Sequence, residues 1–334
     1  MGLAQTRRLP IHLRFGIVRV AYSPQGLVFM THNFDDQLKD LSALAGESEL
    51  KLSRRSLLKS AAVGGFIAGY AAAAQPVFSQ TVETSSAGLD AGQVLVDVGG
   101  DQMFAYRARP AHKKNSPVIL VVPEIFGVHA YIEDVCRRFA QAGFYAIAPE
   151  IFFRHSDPGQ YSTAAEIMSN VIAKMDDAQV MADLDKLVDH AFSEGADTGR
   201  LAVTGFCWGG RITWLYAAHQ PRVKAGVAWY GRLVGAKNAL TPKQAVDLAG
   251  ELKAPVLGLY GAEDTGIPLD TVEQMRSKLA QSAQSNPNAA NSRIEVFAGA
   301  QHGFHADYRN TYNSTAAKEA YNQALQFLRS KNVL

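Results

Sequence analysis

The sequence predicts a three-layer α/β fold in which a mostly parallel central sheet carries helices on both faces. Apolar residues make up 47% of the 334 residues, which is enough for a large core. From about residue 92 onward, apolar segments of strand length alternate with amphipathic segments of helix length, a pattern typical of parallel strands joined by helices. The formal net charge of +2 does not indicate a nucleic-acid-binding surface.

Each element is predicted from the spacing of its apolar residues. Alternation with a period of two at 94–98 and 103–109 predicts a surface hairpin. Continuous apolar runs are typical of strands that are buried on both faces. Such runs occur at 117–123 and 144–150, and further strands are predicted at 200–206 and within 223–231, 254–264 and 292–304. Amphipathic segments predict helices at 131–143, 176–195, 211–220 and 311–330.

The N-terminal segment has the pattern of a targeting signal. Paired arginines in 53–59 (SRRSLLK) precede the uncharged, weakly apolar run 60–80, which matches a twin-arginine export signal over 51–80. We expect the twin-arginine export machinery to bind this signal, and cleavage after Ala74, before Gln75, to release a periplasmic protein. An uncleaved anchor and an ordinary exposed helix are the alternatives, although a membrane span needs about 20 strongly apolar residues.

The first 50 residues are long for the charged region of such a signal. Met30 opens a stretch of more ordinary length, and we expect translation to start there. We therefore treat 1–50 as an extension and exclude both it and the signal from the fold. The remaining sequence predicts one α/β domain over 90–334, and we favour a monomer.

The chain has two cysteines, so at most one disulfide can form. Cys136 lies within a predicted helix beside apolar neighbours, which is typical of a buried structural thiol. Cys207 lies in VTGFCWGG (203–210), where Gly205 and Gly209 flank it in a G-x-nucleophile-x-G turn between a predicted strand and a predicted helix. Glycines are required because side chains two residues either side of the nucleophile would collide in so tight a turn. The helix N-terminus favours a thiolate, so the pattern indicates a nucleophile.

An activated thiol needs a base and a group that orients this base. In hydrolases with such a turn the chain order is nucleophile, acid, histidine, and Asp264 and His302 follow Cys207 in that order. Glu263 is the rival acid, but its place in G-x-x-D favours Asp264. His302 would exchange the proton, while Asp264 would fix the tautomer of His302 and stabilise the imidazolium. These residues and Glu124 each follow a predicted strand, at the sheet edge where active residues of parallel sheets gather.

The sequence resembles the dienelactone hydrolase (carboxymethylenebutenolidase) family of α/β-hydrolases over roughly residues 90–330. The resemblance rests on the segment that contains PEIFG (121–152), on VTGFCWGG (203–210), on LYGAEDTGIP (259–268) and on AQHGFHADYR (300–309). Few α/β-hydrolases have a cysteine in this turn, so the combination is fairly specific.

The resemblance implies an α/β-hydrolase fold and a triad of Cys207, Asp264 and His302 that opens an enol-lactone through a thioester. It also implies that Glu124 interacts with the resting cysteine and helps to generate the thiolate when substrate arrives. Burial is expected to raise the pKa of Glu124, which would make this carboxylate a proton acceptor. Hydrogen bonding of Glu124 to nearby backbone is the alternative.

Two backbone N–H groups are expected to form the oxyanion hole. One belongs to Trp208, directly after the nucleophile, and the other to Ile125, in the loop after the strand at 117–123. Tyr230 follows another predicted strand, and we expect its ring to line the substrate pocket. A plain core position is the alternative for Tyr230.

One departure from the family concerns the binding of a substrate carboxylate. The resemblance implies arginines for this purpose, one of them shortly after the triad histidine, but Ala306 stands four residues after that histidine here. Arg154 and Arg232 could bind an anion instead, and His305 and Arg309 lie nearby in sequence. We predict Arg154 and His305 as pocket residues and expect a small lactone or activated ester as substrate, with dienelactone itself in doubt.

Three other functions stay open. A low-pKa thiol at Cys207 would suit a thiol-redox protein, although Cys136 is predicted to lie away from the strand ends. The second is a non-catalytic, exported binding protein on a hydrolase scaffold. The third is a zinc site, for which the spacing is weak; its candidate ligands are His129, His302, His305 and Asp307. No nucleotide-binding motif follows a predicted strand, so a nucleotide-dependent enzyme is not predicted. Taken together, the motifs favour a cysteine hydrolase that uses no metal or cofactor.

Overall fold

A computed structural model describes residues 20–23, 26–29 and 82–334. The chain divides after Leu57, and the two parts are described separately. In the first part, β1 (Val20–Ser23) pairs antiparallel with β2 (Gly26–Phe29). The predicted export signal, its cleavage site and the start at Met30 lie outside the described residues.

The second part is built on an eight-stranded sheet. Its strands are β3 (Leu89–Asp97), β4 (Gln102–Pro110), β5 (Pro117–Val122), β6 (Tyr145–Pro149), β7 (Asp197–Phe206), β8 (Val223–Trp229), β9 (Val256–Gly261) and β10 (Arg293–Phe297). Their order in space is β10-β9-β8-β7-β5-β6-β4-β3. Neighbours from β10 to β6 pair in parallel, while β4 pairs antiparallel with both β6 and β3. The predicted mostly parallel sheet is therefore confirmed.

Seven α-helices are described within residues 82–334. They are α1 (Ala130–Gln141), α2 (Ala164–Asn170), α3 (Asp177–Ser193), α4 (Trp208–His219), α5 (Leu269–Ser282), α6 (Pro287–Ala290) and α7 (Ser314–Ser330). Every residue of β5, β6 and β9 is buried, so both faces of the sheet centre are covered, as continuous apolar strands require. None of these helices combines the length and the hydrophobicity that a bilayer span requires.

Helices α1, α3, α4 and α7 coincide with the predicted amphipathic segments, whereas α2, α5 and α6 occupy segments that gave no helix prediction. In α5 only three positions are buried, Val272, Met275 and Leu279, and this narrow apolar stripe produces a weak periodic signal. The hairpin of β3 and β4 follows the predicted alternation, with Leu95 opposite Phe104 on the exposed face.

The parallel arrangement determines where the functional side chains meet. Parallel strands present their carboxyl ends along one edge of a sheet, and the loops that leave this edge carry the residues expected to act. Glu124 follows β5, Cys207 follows β7, and Tyr230 follows β8. Asp264 and His302 follow β9 and β10.

Candidate active site

Cys207 occupies a strained turn between the last residue of β7 and the first residue of α4. Its backbone has φ 58° and ψ −115°, and its side chain is fully buried. The N–H of Cys207 donates to the carbonyl of Trp229 at 2.9 Å, and the carbonyl of Cys207 accepts from the N–H of Gly210 at 3.0 Å. A positive φ is costly for a residue with a side chain and persists where the surrounding structure enforces it, as at many functional sites.

The glycines around Cys207 permit close backbone contacts. A Cβ atom on Gly205 would lie 2.2 Å from the carbonyl oxygen of Gly209, and one on Gly209 would lie 2.3 Å from the carbonyl oxygen of Val122. A Cβ atom on Gly231 would lie 2.2 Å from the carbonyl carbon of Gly210. The turn therefore packs directly against the end of β5 and the loop after β8, in agreement with the collision predicted from the sequence.

The structure brings Asp264 and His302 together. His302 Nδ1 lies 2.8 Å from Asp264 Oδ2, and both side chains are buried. Asp264 Oδ1 accepts hydrogen bonds from the backbone N–H groups of Gly266 at 2.9 Å and Ile267 at 3.1 Å, which hold the carboxylate in position. Glu263, the rival acid, is exposed. Asp264 is therefore the carboxylate that orients His302.

His302 is in an environment that favours its protonated form. Burial opposes the positive charge, but the charge and hydrogen bond of Asp264, followed by the hydrogen bond and charge of Cys207, raise the pKa of His302 to about 10. His302 thus interacts with both other members of the predicted triad. The arrangement favours transfer of the thiol proton from Cys207 to His302.

Glu124 is fully buried and is held by three side chains. Arg309 Nη2 donates to Glu124 Oε1 at 3.0 Å, the Tyr308 hydroxyl donates to Glu124 Oε2, and His129 Nε2 lies 3.7 Å from the same oxygen. Burial raises the pKa of Glu124, but the charge of Arg309, the nearby His129 ring and the hydrogen bond of Tyr308 outweigh burial and lower it to about 2. The expectation that Glu124 has a raised pKa is therefore wrong, because a buried cation faces it.

Arg309 is the main residue that the sequence did not place. Its guanidinium is fully buried and lies over the rings of Phe126 and Tyr308, each at 5.2 Å from the ring centroid. Gly303 provides the room, since a Cβ atom there would lie 2.8 Å from Arg309 Cδ. A signal was present in the sequence: a buried Glu124 requires a cation, and Arg309 is the only Lys or Arg between β10 and α7.

The two predicted oxyanion-hole residues lie on either side of the contact between the turn and β5. In the part of the chain that the structure describes, the N–H groups of Ile125 and Trp208 donate to no carbonyl. Trp208 is the first residue of α4, where the backbone N–H has no partner within the helix. The close approach of Gly209 to the carbonyls of Val122 and Pro123 brings the segment before Ile125 against the turn.

Tyr230 lies at the triad. Its ring is fully buried and meets the His302 ring edge to face, with 5.1 Å between the centroids. The backbone of Tyr230 has φ 37°, in the left-handed region, and its N–H donates to the carbonyl of Leu259 at 2.8 Å. This is a second positive φ close to Cys207, and it indicates that the surrounding contacts hold the backbone of the loop after β8 in a strained conformation.

The structure does not bring the predicted anion binder Arg154 to the triad. Arg154 donates to Asp183 at 2.9 Å, to Asp101 and to the carbonyl of Val98 at 3.1 Å. These partners lie on α3 and at the β3–β4 turn, and they compensate the charge of the guanidinium. The assignment of Arg154 to the substrate pocket is therefore corrected to a structural ion pair.

His305 also differs from its predicted role. The imidazole lies against the rings of Trp229, at 4.5 Å, and Phe206, at 5.5 Å, and its Nδ1 is 2.6 Å from the Tyr131 hydroxyl. Burial, and then the charge of Arg138, lower the pKa of His305 to about 3. A neutral imidazole surrounded by aromatic rings lacks the charge to bind an anion. His305 is therefore a packing residue next to the site and not an anion binder.

The remaining cysteine and histidine candidates are separate from one another. Cys136 and Cys207 are both buried and are not joined in a disulfide, and burial raises the pKa of the Cys136 thiol strongly. Among the described residues, no three His, Cys, Asp or Glu side chains form a group suited to a metal ion. The Nδ1 atoms of His302 and His305 face different partners, Asp264 and Tyr131.

Comparison with known proteins places this geometry in a family. The sequence model of the dienelactone hydrolase family matches residues 103–331. A protein of Methylorubrum extorquens (strain AM1), provisionally named carboxymethylenebutenolidase, is 47% identical over 302 residues, which cover 90% of this chain and 99% of that protein. A protein of Escherichia coli (strain K12) with the same provisional name is 47% identical over 264 residues, which cover 78% of this chain and 94% of that protein.

Solved structures agree. The crystal structure of a provisionally named dienelactone hydrolase from Klebsiella pneumoniae subsp. pneumoniae superimposes with a TM-score of 0.70 at 48% identity, covering 72% of this chain and 98% of that chain. The family match extends from β4 to α7 and so contains every loop at the active edge of the sheet. The chain therefore belongs to the dienelactone hydrolase family and is an α/β-hydrolase of the class that cleaves lactones and esters.

Proposed function

We propose that this protein is a cysteine hydrolase that opens small lactones or activated esters through a thioester intermediate. Cys207 is the nucleophile, His302 carries the proton, and Asp264 orients His302. The observation that carries the proposal is the position of Cys207, which lies at the N-terminus of α4 with φ 58° and interacts with a histidine that is bound at 2.8 Å by a buried carboxylate. This geometry matches the general arrangement of nucleophile, base and orienting group.

In the first half of the proposed reaction, His302 accepts the thiol proton and the Cys207 sulfur attacks the carbonyl carbon. A C–S bond forms, and the carbonyl electron pair moves to oxygen. When this oxyanion collapses, the bond between the carbon and the ring or ester oxygen breaks. His302 then returns its proton to the departing oxygen, which leaves a thioester.

In the second half, water attacks the thioester while His302 takes the proton of the water. The C–S bond breaks, the acid product leaves, and the proton returns to the sulfur. The negative charge of Asp264 stabilises the imidazolium in both halves. The N–H groups of Ile125 and Trp208 would donate to the oxyanion, and one such donor typically contributes about 3 kcal/mol to the transition state.

The names of the relatives and the side chains around the site support the proposed substrate class. The relatives at 47% identity are named after carboxymethylenebutenolide, a small unsaturated lactone. Aromatic rings lie close to the proposed triad: the Phe152 ring is 5.0 Å from the Trp208 ring, and the Tyr230 ring is 5.1 Å from the His302 ring. These rings favour a small, flat substrate. The nearby ion pair of Arg309 and Glu124 carries no net charge, so it does not by itself favour a charged substrate.

The test is hydrolysis of p-nitrophenyl acetate and of a panel of small lactones by the full-length chain, titrated with stoichiometric iodoacetamide. We expect activity to fall in proportion to alkylation of Cys207, mapped by mass spectrometry. Cys207→Ala should abolish turnover, while the matched control Cys136→Ala should retain it. Turnover that persists after complete alkylation of Cys207, or in Cys207→Ala, would contradict the proposal.

We further propose that the protein is exported by the twin-arginine machinery and cleaved near Ala74–Gln75. The sequence of 51–80 supports this. The backbone N–H of Thr84 donates to Asp134, and its carbonyl accepts from Arg137 at 2.9 Å, so the expected cut leaves these contacts intact. N-terminal sequencing of the periplasmic form tests the proposal, and an intact N-terminus would contradict it.

A further inference from the structure

The loop between β5 and α1, residues 123–129, carries the N–H of Ile125 that the proposed mechanism assigns to the oxyanion. One end of this loop is held by Glu124, whose carboxylate is bound by Arg309 and Tyr308. A donor in an oxyanion hole has to be held within a fraction of an ångström to stabilise the transition state. Glu124 fixes the loop only before Ile125, so a second contact is needed to hold the part of the loop after Ile125.

The second anchor is a carboxylate on the neighbouring strand. Glu150 directly follows β6, which pairs in parallel with β5 through Leu120 opposite Ile147, so Glu150 lies level with the start of the loop. Glu150 Oε2 accepts a hydrogen bond from the backbone N–H of Val128 at 3.2 Å. A bond from a backbone N–H to a charged carboxylate is stronger than one between neutral groups.

Gly127 shows how closely the carboxylate approaches the loop. The N–H of Gly127 donates to the carbonyl of Glu124 at 3.3 Å and closes a turn that contains Ile125. Gly127 has φ +73°, and a Cβ atom there would lie 3.0 Å from Glu150 Oε2. A side chain at this position would therefore displace either the turn or the carboxylate.

We propose that Glu150 is a positioning residue that fixes the Ile125 N–H for the oxyanion. It acts through Val128 and Gly127, and with Glu124 it holds the loop on both sides of the donor. The inference rests on the proposed cysteine hydrolase function. It adds to that function a residue that follows β6, a strand that carries no member of the triad.

The variants are Glu150→Ala, which removes the acceptor, and Glu150→Gln, whose amide oxygen can still accept from Val128. Glu251→Ala is the matched control, since Glu251 is an exposed carboxylate that pairs with Lys243 at the surface. For p-nitrophenyl acetate we expect Glu150→Ala to lower kcat about tenfold with little change in KM, a part of what loss of an oxyanion donor costs. Glu150→Gln should recover most of this loss, and Glu251→Ala should match the wild type.

Two further readouts separate a positioning role from a structural one. Trifluoroacetone adds reversibly to a thiol, and its adduct places an oxyanion where the loop donates, so its affinity should weaken about tenfold in Glu150→Ala. Alkylation of Cys207 by iodoacetamide needs the thiolate but no oxyanion donor, so its rate should stay within about twofold of the wild type.

The outcomes are distinguishable. Wild-type kcat and trifluoroacetone affinity in Glu150→Ala would overturn the inference while leaving the proposed function intact. Equal losses of alkylation rate and trifluoroacetone affinity would also overturn it, because they indicate general loosening of the site. If Glu150→Ala does not fold, the inference requires near wild-type kcat and affinity from Glu150→Gln. Failure of the proposed function would be seen separately, as wild-type turnover that does not depend on Cys207.

Discussion

The buried pair of Glu124 and Arg309 allows a quantitative prediction for Arg309→Met, a substitution that keeps an unbranched stem and removes the charged guanidinium. In the folded protein the pKa of Glu124 is lowered from 4.5 to about 2. At 1.36 kcal/mol for each pKa unit, this difference corresponds to about 3 kcal/mol of stabilisation at neutral pH. Removing one partner of a buried ion pair typically costs about 3–5 kcal/mol, which agrees with this value.

The pH dependence of the effect has a definite sign. A carboxyl group with a lowered folded pKa stabilises the protein above its unfolded pKa near 4.5, and this stabilisation is lost as the pH falls towards 2. In Arg309→Met, burial without the cation should instead raise the pKa of Glu124, so that the folded variant gains stability as the pH falls. The difference in unfolding free energy between wild type and variant should therefore be largest at neutral pH and decrease on acidification.

Urea denaturation followed by tryptophan fluorescence, at several values between pH 4.5 and 8, measures this difference. The double variant Arg309→Met, Glu124→Gln is the control, because it removes both charges and should recover much of the lost stability at pH 7.5. A loss below about 1 kcal/mol at pH 7.5, or a loss that does not change with pH, would refute the reasoning, since a buried unpaired carboxylate has to titrate.

Three further predictions concern other contacts of the site. Asp264→Asn should lower kcat by about 10³–10⁴-fold, because the amide favours the wrong tautomer of the triad histidine; unchanged steady-state kcat would contradict this. The pKa of His302 is raised from 6.5 to about 10, so the stabilisation that protonated His302 provides should be lost as the pH rises through this range. The difference in unfolding free energy between wild type and Asp264→Asn should therefore decrease between these pH values. Tyr131→Phe and His305→Phe should each lower the unfolding free energy by about 1–3 kcal/mol in urea denaturation, because each leaves one buried partner of a 2.6 Å hydrogen bond unsatisfied. The double variant should lose clearly less than the sum of the two, and additive losses would contradict this coupling. Gly205→Ala should lower the unfolding free energy by at least about 3 kcal/mol, because the new Cβ would lie 2.2 Å from a backbone oxygen. Gly92→Ala is the control, because the space around Gly92 is open. Equal thermal stability of the two variants would contradict this prediction.

Local sequence patterns sufficed for the sheet and for the pairing of Asp264 with His302. The turn around Cys207 could be predicted because its requirement for Gly205 and Gly209 is steric and involves only neighbouring residues. Asp264 could be preferred over Glu263 because of its place in G-x-x-D, and its contact with His302 agrees with that preference. These inferences depend on short stretches of chain, where the sequence alone restricts the conformation.

The environment of the site could not be predicted in the same way. The charge state of Glu124 depends on Arg309, which is 185 residues away in sequence, so burial alone gave the wrong direction for its pKa. Arg154 and His305 looked like anion binders because cationic side chains near strand ends often are. Only the packing shows that Asp183 compensates Arg154 and that aromatic rings keep His305 neutral.

The arrangement of the site along the chain has a consequence for biosynthesis. Cys207, the proposed nucleophile, lies between β7 and α4, but His302, the proposed proton acceptor, lies in the loop after β10, which only α7 follows among the described helices. A protein is made from its N-terminus, so the cysteine leaves the ribosome well before its base does. Until the last loop docks, the thiol has neither His302 nor the Asp264–His302 hydrogen bond to activate it. Chains that stop early, or that lose this C-terminal part, should therefore present a cysteine with only ordinary thiol reactivity.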